Sequence, residues 1–192
     1  MAARKQHKFH DHIDPDIQTW DAGDGVPSEK DLDKLEMDLK MRLPREYRRF
    51  QRLHGAVMVA ASDRVWPNSE LGKGGPFWTF LKGFMVLGLG QECPDYMDIR
   101  TVAAQFHDEF PSTNKWVPFF AYNETADYYC FDKVGRILFW SHELPDEVED
   151  QKVSFDQFMV QEAKKLVLRK DVVAEAVAQY GKKWRERAKC PE

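Results

Sequence analysis

A chain of 192 residues that is 43% apolar and 13% aromatic predicts one domain around one sizeable core, and its 13 Phe and 6 Trp exclude a disordered polymer despite 31% charged residues. No run approaches the ~18 apolar residues of a membrane span, no apolar leader opens the chain, and Cys93, Cys130 and Cys190 form no CxxC, so a reducing cytoplasmic setting is expected. The net charge of −4 hides an asymmetry: Gln91 to Asp150 holds thirteen acids against four bases, which argues against a nucleic-acid backbone as partner.

In chain order, residues 1–26 are polar with little apolar periodicity and read as a loosely docked arm. Ser28 and Asp31, after Pro27, form a capping pair for a first helix with Leu32, Leu35 and Leu39 on one face. Pro44 then suits the first position of a second helix, where its missing N–H is not needed. In that helix Tyr47, Phe50 and Leu53 recur at near-helical spacing. Arg45, Arg48, Arg49 and Arg52 fall on the other side, as a solvated face, an ion-pairing surface or a phosphate-contacting stripe. Gly55 is placed as a left-handed C-cap before a strand near Ala56–Ala61.

Trp66 to Thr79 predicts a loop, punctuated by Pro67, Gly72, Gly74, Gly75 and Pro76. Its Trp66, Phe77 and Trp78 either fold back on the sheet or anchor an interface. A strand over Phe84–Leu89 and a helix over Asp98–Phe110 follow. Strands at Trp116–Tyr122, Tyr128–Asp132 and Arg136–Trp140 come next, the last two closed into a hairpin by Asp132–Gly135. Ser154 and Gln157 form a capping box for a helix with Phe155, Phe158, Met159, Ala163 and Leu166 on its apolar face, and a last helix is expected from Asp171. The order predicts an α+β fold: a single, mainly antiparallel sheet flanked by N-terminal and C-terminal helices. Leu35, Leu39, Leu43, Tyr47, Phe50, Phe119, Phe131, Phe139, Phe155, Phe158 and Leu166 are the expected core.

The stretch from Leu35 to Val59, LEMDLKMRLPREYRRFQRLHGAVMV, resembles the N-terminal signature of the SUKH superfamily, the Smi/Knr-type domains: an acidic helix residue, Leu-Pro, spaced aromatics and a Gly-rich stop. The resemblance continues through Val117-Pro118-Phe119-Phe120-Ala121, the acidic turn Asn123–Asp127, Tyr128–Asp132, Ile137–His142 and Ser154-Phe155-Asp156-Gln157-Phe158. It covers roughly Val26 to Leu168, with one departure: His54-Gly55-Ala56 stands where the family usually shows paired glycines. This divides the chain into an arm over 1–26, an α+β domain over 27–168 and a helical extension over 169–192 packed on the same domain. The resemblance implies a non-catalytic, cytoplasmic immunity protein that binds and neutralises a cognate secreted polymorphic toxin, often a nuclease or deaminase. It also admits a regulatory scaffold, as in relatives that act in cell-wall signalling.

No catalytic motif appears among the residues, and Asp95, Asp98, Asp108 and Glu109 would serve as a catalytic carboxylate pair only where their surroundings push two pKa values apart. His7, His10 and His12 lie in a segment with no element to hold tetrahedral ligands, so neither metal nor cofactor is expected. Leu71-Gly72-Lys73-Gly74-Gly75 lacks the Walker spacing and a Ser or Thr after the lysine. Cys93, Cys130, His54, His107 and His142 show no nucleophile–base pairing. The acidic central segment either keeps the sheet soluble or presents a negative face to a basic protein, with no nucleic acid and no membrane as partner. For the second reading the expected contacts are Asp95, Asp98, Asp108, Glu109, Glu124 and Asp127, with Trp66, Tyr96 and Trp78 as anchors.

Overall fold

A computed structural model describes residues 11–12, 17–22, 25–61, 83–122 and 125–167. The expected Ser28–Asp31 capping box opens α1 (Glu29–Leu39), with each residue's side chain bonded to the other's backbone N–H. Helix α2 (Arg45–His54) follows Pro44, and between the two helices the buried Glu36 carboxylate accepts the Leu43 N–H at 2.8 Å. That bond satisfies a buried donor at the Leu-Pro break, so the acid of the signature holds the turn between the helices. The arginine stripe is an ion-pairing surface: Arg48 bridges Glu29, Asp33 and Glu36, Arg52 joins Glu29, and Arg49 joins Asp156.

Gly55 ends α2 with φ 67° and ψ −145°, a positive-φ conformation outside the expected left-handed helical region. A Cβ there would also stand 2.6 Å from the Leu89 carbonyl oxygen. Only glycine meets both constraints, which explains how one glycine serves at this stop.

The sheet is a seven-stranded antiparallel meander: β1 (Ile17–Ala22), β2 (Ala56–Ala61), β3 (Gly83–Val86), β4 (Val117–Tyr122), β5 (Tyr128–Phe131), β6 (Ile137–Trp140) and β7 (Val148–Asp150), paired in chain order. Two of these strands go beyond the sequence reading. The segment read as an arm contains β1, paired along its whole length with β2, and the acidic Val148-Glu149-Asp150 pairs with β6. Helix α3 (Ile99–Glu109) precedes β4, and α4 covers residues 155–167, opened by the expected Ser154–Gln157 box. The expected loop over Trp66–Thr79, His7 and His10 of the histidine cluster and the helix from Asp171 lie outside the described residues.

Alternation along the strands sorts the core into two layers. Val57, Val59, Phe84, Val86, Tyr129, Phe131 and Ile137 join α1, α2 and α4 in the main core, while Cys130, Leu138 and Trp140 meet Phe106 of α3 in a second cluster. A bulge between Pro118 and Phe120 leaves Phe119 as the extra residue, so two successive phenylalanines enter the main core. Phe119 then stacks on Phe131 at 3.9 Å. Of the expected core, Leu39 and Phe139 are only partly buried, at the margin of that layer, and the others are buried. Glu162, fully buried on α4, is satisfied by the Tyr122 hydroxyl and by Lys165. No helix among the described residues is long and apolar enough to cross a membrane.

Candidate protein-interaction surface

The second cluster organises the acidic side of the molecule. Phe106 and Phe110, at the C-terminal end of α3, pack on the Trp140 ring at 4.7 and 4.8 Å. The same indole donates its Nε1–H to the Pro145 carbonyl at 2.9 Å. One buried tryptophan therefore ties the end of α3 to the turn between β6 and β7. That turn is closed internally by Leu144 N–H to Ser141 and Glu147 N–H to Leu144. Its start is held by Asp127, which accepts both the His142 N–H at 3.0 Å and the His142 ring at 2.8 Å. The Asp127 bond raises the imidazole pKa of His142 above its ordinary value.

On this framework Glu143, Asp146, Glu147 and Glu149 are exposed, and two apolar side chains stand among them: Leu144 is 57% exposed and Val148 37%. Val148 pairs with Trp140, so it carries the apolar row of the second sheet face out to the β7 edge. Acids on an edge strand protect it from pairing with another chain, but that role gives no reason for exposed Leu144 and Val148. Asp108 and Glu109 are exposed in the last turn of α3, where the helix dipole disfavours negative charge.

The residues expected from sequence divide into three groups. Asp95, Tyr96, Asp108 and Glu109 are exposed, the first two before α3 and the other two at its far end. Eleven residues at about 1.5 Å rise put the two pairs about 16 Å apart, so they do not form one cluster. Asp98 and Asp127 serve the fold. Asp98 is buried as the N-cap of α3, bonding the Arg100 N–H at 2.8 Å and its guanidinium at 3.0 and 2.5 Å. Burial pushes its carboxyl up, but the Arg100 bonds outweigh this and hold it below the usual carboxylate range. Trp66, Trp78 and Glu124 lie outside the described residues. The sequence reading missed Leu144 and Val148, although the alternation of acids with apolar residues in SHELPDEVED could have marked them.

The candidate nucleophiles have unreactive settings. Burial pushes the Cys130 thiol well up, and burial with the nearby Asp98 pushes Cys93 up to about 11, so both are protonated at neutral pH. His54 is buried against Phe50, and the Nε2–H of His107 donates to the Trp116 carbonyl at 2.7 Å. Among the described residues no group of three or more His, Cys, Asp or Glu side chains could hold a metal ion.

Residues 26–161 match the model of the SMI1 / KNR4 family (SUKH-1), most of the chain, spanning the meander from β2 onward with α1, α2, α3 and the first half of α4. The chain belongs to this family. No curated protein matches it. In this SUKH domain the signature residues are structural: Glu36 caps the inter-helix turn, Tyr47 donates its hydroxyl to the Leu87 carbonyl at 2.6 Å, and Gly55 makes the stop. The exposed acids and apolar side chains beyond Trp140 lie apart from these signature residues.

Proposed function

We propose that this SUKH domain is an immunity protein, which binds a cognate secreted toxin without catalysis and blocks it by occupancy. The observation that carries this reading is the turn around Leu144: exposed apolar side chains, ringed by acids, on a backbone held at both ends by buried or bonded groups. A preorganised apolar anchor inside a charged rim is how protein interfaces concentrate affinity. A basic partner fits, since the rim acids would steer it electrostatically, and a nuclease or deaminase presents a basic surface where it holds its substrate. Cytoplasmic action follows from this reading, because the toxin is met where it acts.

The test is co-expression and binding with the toxin domain encoded beside the gene. Leu144→Ala should speed dissociation, with a loss of about 2 kcal/mol, or roughly thirtyfold in affinity. Lysine at Glu143, Glu147 and Glu149 should slow association, most strongly at low salt. Full protection by both folded variants would exclude this surface. A wild-type chain that neither binds nor protects would reject the pairing and favour the regulatory scaffold reading.

A further inference from the structure

A groove of about 620 Å³ runs between the C-terminal end of α1 and the exposed side of α3, a size suited to one or two side chains of a ligand. Leu39, Met41, Ala103 and Ala104 form its aliphatic floor, and Arg100, His107 and Asn114 also line it. Lys40 stands on one rim and Lys133, in the turn from β5 to β6, on another. Neither lysine has an ion-pair partner among the described residues, whereas Arg100 on the same lining is held by Asp98. The single acid on the rim is Asp38.

Lys40 carries a second, independent peculiarity. It closes α1 at φ 52° and ψ 35°, in the left-handed region where glycine or asparagine is the unstrained choice. A long cationic side chain thus occupies a position where glycine would carry less strain. In an acidic chain, two unpaired lysines over an aliphatic floor form a local site of the opposite sign.

We infer that this groove binds an acidic peptide segment of a partner protein, with an aliphatic side chain on the floor and carboxylates on Lys40 and Lys133. A nucleic-acid strand fits less well: the lining's one ring, His107, is tied to the Trp116 carbonyl, and Asp38 repels a phosphodiester. The site lies apart from the acidic turn around Leu144 and stands whether or not that turn binds a toxin.

The test uses the full chain and a capped heptapeptide with one leucine between two runs of three glutamates. A lysine counterpart and a heptathymidylate serve as controls, all followed by amide chemical shifts. The glutamate peptide should shift Lys40, Ala104 and Lys133 and lose about tenfold in affinity as salt shortens the Debye length. Lys40→Gly separates binding from folding, because it should melt at or above wild type while weakening the peptide several-fold. Lys133→Glu should weaken it further. Equal binding of either control, shifts confined elsewhere, or unchanged affinity in the folded Lys40→Gly and Lys133→Glu variants would overturn the inference.

Discussion

Gly88→Ala should destabilise this domain by evicting a side chain, although the backbone there poses no obstacle. Gly88 bridges to Asp98 and lies between the two bonds that Gln51 of α2 makes: Nε2–H to the Leu87 carbonyl at 3.2 Å, and Oε1 from the Leu89 N–H at 3.1 Å. A Cβ on residue 88 would fall 2.2 Å from Oε1 and 2.4 Å from Nε2, so the amide must leave. The Leu87 carbonyl keeps the Tyr47 hydroxyl, but the Leu89 N–H is orphaned and a fully buried amide loses its partners. Unsatisfied buried groups cost about 1–3 kcal/mol each, which predicts a loss of about 2–4 kcal/mol. For a chain of this length that lowers the melting temperature by roughly 5–15 °C. The assay is urea or thermal unfolding of a double-mutant cycle. Gln51→Ala should itself destabilise, but it opens the space that the new methyl needs, so Gly88→Ala should cost much less in that background. A coupling of about 1–2 kcal/mol is expected. Additive single mutants, or a Gly88→Ala protein that melts like wild type, would refute the steric argument.

Phe131→Ala removes the ring stacked on Phe119 and edge-on to Tyr47 at 5.1 Å, and urea titration should show a loss of about 3–5 kcal/mol. Glu36→Ala should cost more than Glu36→Gln, because glutamine keeps an acceptor for the Leu43 N–H; about 1–2 kcal/mol should separate them in the same titration. The folded pKa of His142 is raised, so its bond to Asp127 stabilises the turn below the unfolded value and is lost as pH rises through the folded one. Imidazole NMR should show that pKa falling towards 6.5 in Asp127→Asn, and an unchanged value would break the link between the two loops. Asp98 has the opposite sign: its depressed carboxyl stabilises α3 above the unfolded value near 3.8 and ceases to as pH falls through the folded one. Asp98→Asn should therefore flatten the acid limb of the stability profile.

What the sequence determined by itself is what depends on neighbours three or four residues away. Ser28 with Asp31 and Ser154 with Gln157 are caps made within one turn, and the faces carrying Leu35, Tyr47, Phe50 and Phe158 repeat with the helix. The hairpin at Asp132–Gly135 is equally local, with Asp132 accepting the Val134 and Arg136 N–H groups. Strands β1 and β7 were not legible, because Ile17–Ala22 has weak periodicity and Val148–Asp150 is short and acidic. Each exists because a neighbouring strand, β2 or β6, offers its backbone. The same holds for the surface. Composition showed that the middle of the chain is acidic, but which acids face a partner was decided by tertiary neighbours: Arg100 draws Asp98 inward, and His142 engages Asp127. Trp140, reaching across to Pro145, is what leaves Leu144 standing on a fixed turn among free carboxylates. Exposure is a property of what packs on a residue, and for these residues the packing partners are distant in the chain.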